Sequence, residues 1–207
     1  MIAILDYGMG NVASMRNMVS KIGSEVRVLT TLKDVPDLTG VILPGVGAFD
    51  NAMTKLSSSG LQGELRHAVL EQRIPFLGVC LGMQLLFERS EEGNLPGLGF
   101  LSGSVVRFAG EPFSREHLRI PHMGWNVVEP TREGGLFQGL GVEPRFYFVH
   151  SYHVVCGDQE DTAATCEYGY PFSCAVARGN IFATQFHPEK SHKFGMKLLQ
   201  NFLELTC

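Results

Sequence analysis

The sequence predicts an α/β fold: an open, mostly parallel twisted sheet flanked by helices, with antiparallel additions in the second half. Over about the first hundred residues, apolar strand-like runs alternate with stretches of helical spacing, which is typical of parallel βαβ units. After about residue 100 the runs become shorter and are broken by glycine and proline. The 207 residues suit one domain of ordinary size. We therefore expect residues 1–207 to form a single domain around one core.

The first half of the chain supplies the parallel strands. Apolar and β-branched residues cluster at 2–5, 26–29, 41–43 and 76–79, and such residues favour strands. Between these runs, apolar residues recur at helical spacing. One such stretch contains Val12, Met15, Met18, Val19 and Ile22, and a second contains Leu61, Leu65, Ala68 and Val69. Each stretch predicts a helix that connects two parallel strands.

The second half predicts a mixed, strand-rich region. Short strands are expected at 105–108, 125–128, 146–149, 152–156, 163–166, 175–177 and 181–186. A final helix is expected over 192–205, because Phe194, Leu198, Leu199, Phe202 and Leu205 fall on one face. The polar segment 109–119 predicts a loop.

Composition and charge argue against several classes of partner. The net charge is −4 and no block is rich in Lys or Arg, which disfavours nucleic-acid binding. The sequence has no apolar run of about 18 residues, as a membrane-spanning helix requires, and its first residues resemble a strand more than a signal sequence. We expect a soluble cytoplasmic protein. The odd number of cysteines, without a CxxC pair, predicts reduced thiols; these are Cys80, Cys156, Cys166, Cys174 and Cys207.

The strongest chemical motif is Gly78-Val79-Cys80-Leu81-Gly82. It has the G-x-nucleophile-x-G pattern of a nucleophile elbow, with a cysteine in place of serine. A strand that ends at Val79 and a helix that begins near Leu81 would place Cys80 on a tight, strained turn. Helix N-termini lower the pKa of thiols, and the Leu81 amide would point to where an oxyanion forms. Cys80 is therefore a candidate nucleophile, although a small buried cysteine at a strand–helix joint is the alternative.

A candidate base lies in Gln185-Phe186-His187-Pro188-Glu189. His187 follows a strand-like run that Pro188 stops. Glu189 is placed to orient the imidazole, as the acid of a catalytic triad does. A histidine after a strand is, by itself, more often structural, so the prediction depends on the combination with Cys80.

Two other patterns are weaker. Gly8-Met9-Gly10-Asn11-Val12-Ala13 matches a dinucleotide-binding fingerprint, but the next strand ends in Thr30-Thr31 and lacks the acid that would hold a ribose. His150 and His153 suggest a metal site, yet a three-residue offset on one strand would put them on opposite faces. We expect neither nucleotide nor metal binding, and no cofactor.

Several segments together resemble a known family. The elbow, Pro44-Gly45-Val46-Gly47 and His187-Pro188-Glu189, in this order, resemble class I (triad) glutamine amidotransferases. Three further segments narrow the resemblance to the glutaminase subunits of imidazole glycerol phosphate synthases: Asp6-Tyr7-Gly8-Met9-Gly10-Asn11, Pro121-His122-Met123-Gly124-Trp125-Asn126 and Phe148-Val149-His150-Ser151-Tyr152. The resemblance covers essentially the whole chain and implies a flavodoxin-like sheet.

The resemblance also implies roles for individual residues. Cys80 would attack the side-chain amide of L-glutamine, His187 would shuttle the proton, and Glu189 would orient His187. The oxyanion would be held by Leu81 and by an amide of Gly45, Val46 or Gly47. Gln84, Ser151 and Tyr152 would line the glutamine pocket. The ammonia would pass to a (β/α)8-barrel cyclase in a heterodimer of the histidine pathway, and the positions implied to face it are Asn11, Met123, Gly124, Trp125 and Tyr147.

Three alternatives stay open at this point. A related glutaminase could serve an amidotransferase that amidinates bacterial surface sugars, which Ser191-His192-Lys193-Phe194-Gly195 weakly favours. A γ-glutamyl peptidase could use the same fold without a partner. A binding or regulatory relative could carry Cys80 as a redox-active thiol, with no need for His187.

Overall fold

The structure is a computed structural model that describes residues 1–114 and 118–206. Residues 115–117, part of the predicted loop, and Cys207 lie outside the described residues. The strands are β1 (Ile2–Leu5), β2 (Val26–Leu29), β3 (Gly40–Gly45), β4 (Phe76–Cys80), β5 (Arg89–Ser90), β6 (Gly103–Arg107), β7 (His122–Val127), β8 (Glu129–Pro130), β9 (Arg145–His150), β10 (Tyr152–Cys156), β11 (Thr162–Glu167), β12 (Pro171–Arg178) and β13 (Ile181–Thr184).

Within residues 1–114 and 118–206, six α-helices flank or connect these strands. They are α1 (Val12–Ile22), α2 (Phe49–Ser58), α3 (Leu61–Arg66), α4 (Leu81–Gln84), α5 (Glu111–Ser114) and α6 (His192–Glu204). A π-helical segment, His67–Glu71, continues α3. No helix in the described part of the chain is both long and apolar enough to span a bilayer.

The central sheet begins with five parallel strands in the order β2-β1-β3-β4-β13. It continues through β12, β10 and β6, which are joined by antiparallel pairing, to the short β5. β11 pairs with β12 and β8, while β7 and β9 form a separate antiparallel ribbon. The predicted α/β fold, parallel first and antiparallel later, is confirmed.

The core lies on both faces of this sheet. Alternate residues of a strand point to opposite faces, so Leu43 joins one apolar cluster and Ile42 the other. Helices α2 and α3 cover the first face, and α1 and α6 cover the second. Because both faces are covered, every residue of β1, β3 and β4 is buried, which explains why these strands are continuous apolar runs in the sequence.

Several local predictions are wrong. The strand expected over 181–186 ends at Thr184, and that expected over 125–128 covers His122–Val127. The third strand does not stop at residue 43: β3 runs to Gly45, because Pro44 and Gly45 pair with Val79 and Cys80 of β4. Within the predicted loop at 109–119, residues 111–114 form the short helix α5. Phe113 anchors this helix, since its ring packs 5.4 Å from Phe108 and 5.8 Å from Tyr168.

Candidate active site

Cys80 lies at the carboxyl end of β4, in the middle of the parallel strands. Its neighbours are Gly45 at the end of β3, which pairs with it directly, and the residue after Thr184 of β13, since Thr184 pairs with Val79. Crevices at the carboxyl ends of parallel strands are the usual ligand sites of open α/β sheets. The sheet topology therefore places the cysteine at the position where such folds bind their ligands.

The backbone at Cys80 has the strain that the elbow motif predicts. Cys80 has φ of 56° and ψ of −111°, a region that residues with a Cβ rarely adopt. A Cβ on Gly78 would lie 2.6 Å from the Gly82 oxygen, and one on Gly82 would overlap the carbonyl oxygen of Leu43. Both flanking glycines are thus required by close backbone contacts. The helix that follows, α4, has a single turn, so its macrodipole is small and its free amides matter more.

Substitution at these glycines provides a stability test of the elbow. We expect Gly82→Ala to lower the free energy of unfolding by about 2 kcal/mol, because the new methyl group overlaps the Leu43 carbonyl. Gly63→Ala in α3 is the matched control: no atom lies within 4 Å of its added Cβ, so a gain of up to about 1 kcal/mol is expected. Urea unfolding measures both, and equal effects of the two substitutions would contradict the packing described here.

His187 and Glu189 form a buried pair beyond β13. His187 Nδ1 lies 2.9 Å from Glu189 Oε1, and both side chains are almost completely buried. The His187 backbone is held on two sides, because its N–H donates to the Tyr147 carbonyl and its own carbonyl accepts from Ser191 Oγ. Nδ1 carries the proton donated to Glu189, which leaves Nε2 facing Cys80.

The environment of His187 favours the imidazolium form. Burial alone would lower the pKa of His187, but the contacts with Cys80 and Glu189 outweigh it and raise that pKa to about 9. Nε2 and Glu189 Oε2 are buried without a well-aligned hydrogen-bond partner within the described residues. This histidine can therefore hold a proton next to the sulfur at neutral pH and release it to a group that arrives in the cavity.

A cavity of about 320 Å³ brings the predicted site residues together. Its lining includes Val46, Gly47, Cys80, Leu81, Gln84, Glu92, Pro121, Val149, His150, Ser151, Tyr152 and His187. Gly45 does not line it, because this residue belongs to β3 and packs against the backbone of Gly82. Of the loop predicted to hold the oxyanion, Val46, which is 41% exposed, and Gly47 line the cavity. A larger cavity of about 710 Å³, bounded by residues 130–141, contains neither cysteine nor histidine.

Two polar residues of the site have no counterpart in the sequence predictions. Glu92, in the turn after β5, lines the cavity, and its carboxylate accepts from the Phe49 N–H at 3.0 Å; burial raises its pKa. Gln185, fully buried between β13 and His187, points its amide nitrogen at Cys80 Sγ. The sequence predicts no role for either residue, although Gln185 is the first residue of the segment that contains the predicted base.

His150 and His153 do not share one strand, so the argument that placed them on opposite faces is wrong. β9 ends at His150 and β10 begins at Tyr152, and both imidazole rings pack on Phe108, at 5.2 and 4.7 Å. His150 Nδ1 donates to the Tyr152 carbonyl at 2.8 Å, so its Nε2 accepts from His122 Nδ1 at 3.0 Å. The described residues contain no group of three side chains placed to hold a metal ion.

These histidines predict acid sensitivity. Burial lowers the pKa of His122 to about 4 and that of His150 to about 3. Both are neutral in the native state but protonated in the unfolded chain below about pH 6.5. The free energy of unfolding is therefore not reduced by these histidines above pH 6.5. As the pH falls from 6.5 toward 4, it decreases by about 1.4 kcal/mol per pH unit for each histidine.

Urea unfolding between pH 7 and pH 4.5 measures this loss. In His122→Asn the amide nitrogen can replace Nδ1. The slope of the unfolding free energy against pH should then be smaller by the contribution of one histidine, about 1.4 kcal/mol per pH unit. The exposed Val142, which has no titratable group, provides the control, and Val142→Ala should leave the slope unchanged. A slope that is the same in wild type and in His122→Asn would contradict the neutral pair.

The residues predicted to face a partner lie mainly on the β7–β9 ribbon. Met123 and Trp125 are 63% and 47% exposed, and Trp125 pairs with Tyr147 across the ribbon. The intervening Gly124 has φ of 135°. The Trp125 ring stacks at 5.3 Å on His192, which the sequence predictions did not include. An exposed aromatic surface thus lies on this ribbon.

Asn11 is placed separately, at the start of α1. Its side chain caps this helix by accepting from the Ser14 N–H, and α1 contacts the turn Pro188–Lys190. Because this turn also contacts β9, Asn11 and the ribbon are linked through the segment that carries Glu189.

The remaining described cysteines are buried free thiols: Cys156, Cys166 and Cys174. Burial raises the pKa of each of them, which makes a thiol less reactive. Of the four cysteines in the described residues, only Cys80 lines the cavity with His187.

Comparisons with known proteins agree on one family. The family model "Glutamine amidotransferase class-I" matches residues 3–205. The chain is 48% identical over 206 residues, covering both chains completely, to "Imidazole glycerol phosphate synthase subunit HisH 2" of Pseudomonas aeruginosa. It is also 47% identical to the "Imidazole glycerol phosphate synthase subunit HisH" of Bdellovibrio bacteriovorus, over 99% of this chain and all of the relative.

Solved structures give the same fold. A structure described as "Crystal structure of glutamine amidotransferase" has a TM-score of 0.72 at 22% identity, and covers 99% of this chain and 98% of its own. "Structure of PurLQS from Thermotoga maritima" has a TM-score of 0.74 at 17% identity, and covers 99% and 97%. The chain belongs to the class-I glutamine amidotransferases and, within them, to the family of imidazole glycerol phosphate synthase HisH subunits.

Proposed function

We propose that residues 1–207 form one glutaminase domain that hydrolyses L-glutamine to glutamate and ammonia with Cys80, His187 and Glu189. The observation that carries this proposal is the cavity that joins the strained Cys80 to His187, whose Nδ1 is bonded to a buried carboxylate. Family membership supports glutamine as the substrate. The relatives' names support imidazole glycerol phosphate synthase, in histidine biosynthesis, as the complex that uses the ammonia.

In the first half of the reaction, Cys80 Sγ attacks the side-chain carbonyl carbon of glutamine as a thiolate. The negative charge moves to the carbonyl oxygen, where the Leu81 N–H and an amide of Val46 or Gly47 can stabilise it. The C–N bond breaks as His187 gives its proton from Nε2 to the leaving nitrogen. The products of this half are ammonia and a γ-glutamyl thioester on Cys80.

In the second half, water attacks the thioester carbon. His187, now neutral, takes a proton from the water as the oxygen bonds to carbon. The C–S bond breaks, glutamate leaves, and the sulfur returns to the thiolate beside a protonated His187. Throughout both halves Glu189 keeps Nδ1–H oriented and stabilises the imidazolium, as the acid of a triad does.

The cavity also suits the two charged ends of glutamine. Glu92 brings a carboxylate to the lining and complements the α-ammonium group, while Ser151 and Tyr152 offer hydroxyl and backbone groups to the rest of the substrate. Gln84 lines the cavity too, but its amide nitrogen is occupied by the Tyr152 carbonyl and by Gln185. We therefore assign Gln84 to the wall of the pocket and Glu92 to recognition of the ammonium group.

Substitution at Glu92 tests this assignment. Glu92→Gln should raise KM for glutamine about tenfold and change kcat much less, because a hydrogen bond to a charged group contributes about 1.5 kcal/mol or more. Steady-state kinetics of the assembled complex measure both constants. A loss confined to kcat would contradict a role in ground-state binding.

We place the partner's docking surface on Met123, Gly124, Trp125 and Tyr147, with Asn11 beside them. The partner is a cyclase subunit with a (β/α)8 barrel, which receives the ammonia from this chain. Exposed aromatic residues are enriched at protein interfaces, and the stacked Trp125 presents such a group on a rigid ribbon.

Coupling to the cyclase is the test of the proposed function. Glutamate release is measured for the chain alone, with the cyclase subunit of the same organism, and with that cyclase loaded with its own substrate. We expect release to rise on addition of the loaded cyclase. Trp125→Ala should reduce this rise, whereas Val142→Ala, at a residue that is 92% exposed and outside β7 and β9, should not. Equal, negligible release in all arms would overturn the proposal.

The alternative functions are not favoured by the relatives. Both relatives are named as subunits of imidazole glycerol phosphate synthase, and neither name refers to a sugar amidotransferase or a peptidase. Complementation of a histidine auxotroph separates the first alternative, because a surface-sugar enzyme would not restore growth. Hydrolysis of a γ-glutamyl peptide without any partner would favour the second.

A further inference from the structure

The Cys80 sulfur has a second polar neighbour, on the side of β13. Gln185 Nε2 lies 3.7 Å from Cys80 Sγ, within the range of a hydrogen bond to sulfur, and Gln185 is completely buried. Strand register explains the contact. Thr184, the last residue of β13, pairs with Val79 of β4, so the residues that follow them, Gln185 and Cys80, lie side by side. The Gln185 N–H donates to the Cys174 carbonyl at 2.8 Å, which fixes the backbone from which this side chain extends.

A chain of hydrogen bonds determines which end of the Gln185 amide faces the sulfur. The Tyr152 carbonyl can only accept, so it orients Gln84 Nε2 toward itself, at 3.1 Å. The second hydrogen of Gln84 Nε2 points to Gln185 Oε1, at 3.0 Å. With its oxygen engaged there, Gln185 presents its nitrogen to Cys80. His150 Nδ1 donates to the same Tyr152 carbonyl, so the anchor is itself held in place.

We propose that Gln185 donates a hydrogen bond to the Cys80 thiolate and stabilises the charged sulfur before it attacks. The proposal deepens the proposed function, on which it rests for the identity of Cys80 as nucleophile. Gln185 differs from His187 in one respect that matters: an amide N–H stabilises the anion but cannot neutralise it by transferring its proton. A hydrogen bond to an anion is stronger than one to a neutral group, so the contact favours the thiolate over the thiol.

The single-turn helix α4 makes this donor more important. Short helices offer little macrodipole to a thiolate at their N-terminus, so a directed side-chain donor adds to the stabilisation that the protonated His187 provides. The contact is also specific to the thiolate stage of the reaction, because the sulfur of a thioester carries no formal charge. Gln185 should therefore stabilise the sulfur most in the resting enzyme, before the thioester forms.

Alkylation of Cys80 by iodoacetamide tests the proposal without any glutamine turnover. Rates are measured from pH 5 to pH 10, with peptide mass spectrometry to separate Cys80 from the buried cysteines. In Gln185→Met the alkylation midpoint should move up by about one pH unit, with alkylation up to about tenfold slower at pH values below the midpoint. Gln185→Glu should move it further, because a carboxylate would then face the sulfur. Asn201→Leu removes another buried amide, which donates to Leu136 and Gln138, and should leave the midpoint unchanged.

A midpoint in Gln185→Met equal to that of wild type would overturn the proposal. Should that variant fail to fold, Gln185→Asn, which withdraws the donor by one methylene group, undergoes the same measurement with the same two outcomes. The failure of this proposal is distinct from failure of the proposed function. Normal glutamate release with an unshifted midpoint refutes only the donor role, whereas a shifted midpoint with no glutamate release by wild type in the loaded complex refutes only the glutaminase.

Discussion

Cys80→Ala should abolish glutamate release by the complex, with a loss of at least about ten-thousandfold in kcat. The substitution removes the only described thiol in the cavity that contains His187, and the losses known for triad nucleophiles are of this size. Glutamate is measured after incubation of the variant with the loaded cyclase. Residual activity within tenfold of wild type would mean that water or another group attacks glutamine directly.

Two controls separate chemistry from assembly in this experiment. Cys166→Ala removes a buried thiol outside the cavity and should retain glutaminase activity per folded molecule. In the Cys80→Ala complex, cyclisation supplied with ammonium salts in place of glutamine should proceed at the wild-type rate. Loss of this ammonia-dependent reaction would indicate that the substitution disrupts the partner rather than the thioester step.

His187→Ala should lower kcat by at least about a thousandfold, because one group would no longer serve as acid to ammonia and as base to water. The pH dependence gives a second readout. The pKa of His187 is raised to about 9, so the imidazolium that protonates the leaving nitrogen is present at neutral pH. It is lost as the pH rises through about 9, and kcat/KM, which reports the titration of the free enzyme, should fall there.

Glu189→Gln is the matched variant for this pH profile. It removes one of the two contacts that raise the pKa of His187 and leaves a side chain of the same size. The alkaline fall in kcat/KM should therefore move to lower pH, with a smaller loss of maximal rate than in His187→Ala. An alkaline limb that stays near pH 9 in Glu189→Gln would show that another group titrates.

The sequence predicts the fold well because the parallel strands are buried on both faces. β1 and β4 appear as unbroken apolar runs for that reason, and the helical spacing between strands defines the connections. The end of β3 is less predictable, because Pro44 and Gly45 disfavour strands locally, and their pairing with β4 depends on a segment 35 residues away. α5 is similar, since Phe113 packs on Phe108, just after β6, and on Tyr168, which follows β11 and is distant in sequence.

The candidate site also contains both residues that local sequence motifs predict and residues that only the fold brings to the site. Cys80, His187 and Glu189 are predictable because each lies in a short motif whose chemistry is local. Gln185 is not, because its contact with Cys80 spans 105 residues and arises only from the register of β4 with β13. Glu92 stands in a polar turn with no pattern of its own and reaches the cavity by folding back onto the start of α2.

The central claim is that glutamine passes through a thioester on Cys80. The loaded complex is incubated with L-glutamine, quenched in acid during turnover, and digested, and the cysteine-containing peptides are analysed by mass spectrometry. We expect one glutamyl group on the peptide that contains Cys80, and none on the other cysteine-containing peptides or in Cys80→Ala. Glutamate release without any glutamyl group on Cys80, under conditions where the acid-quenched thioester is stable, would contradict the account.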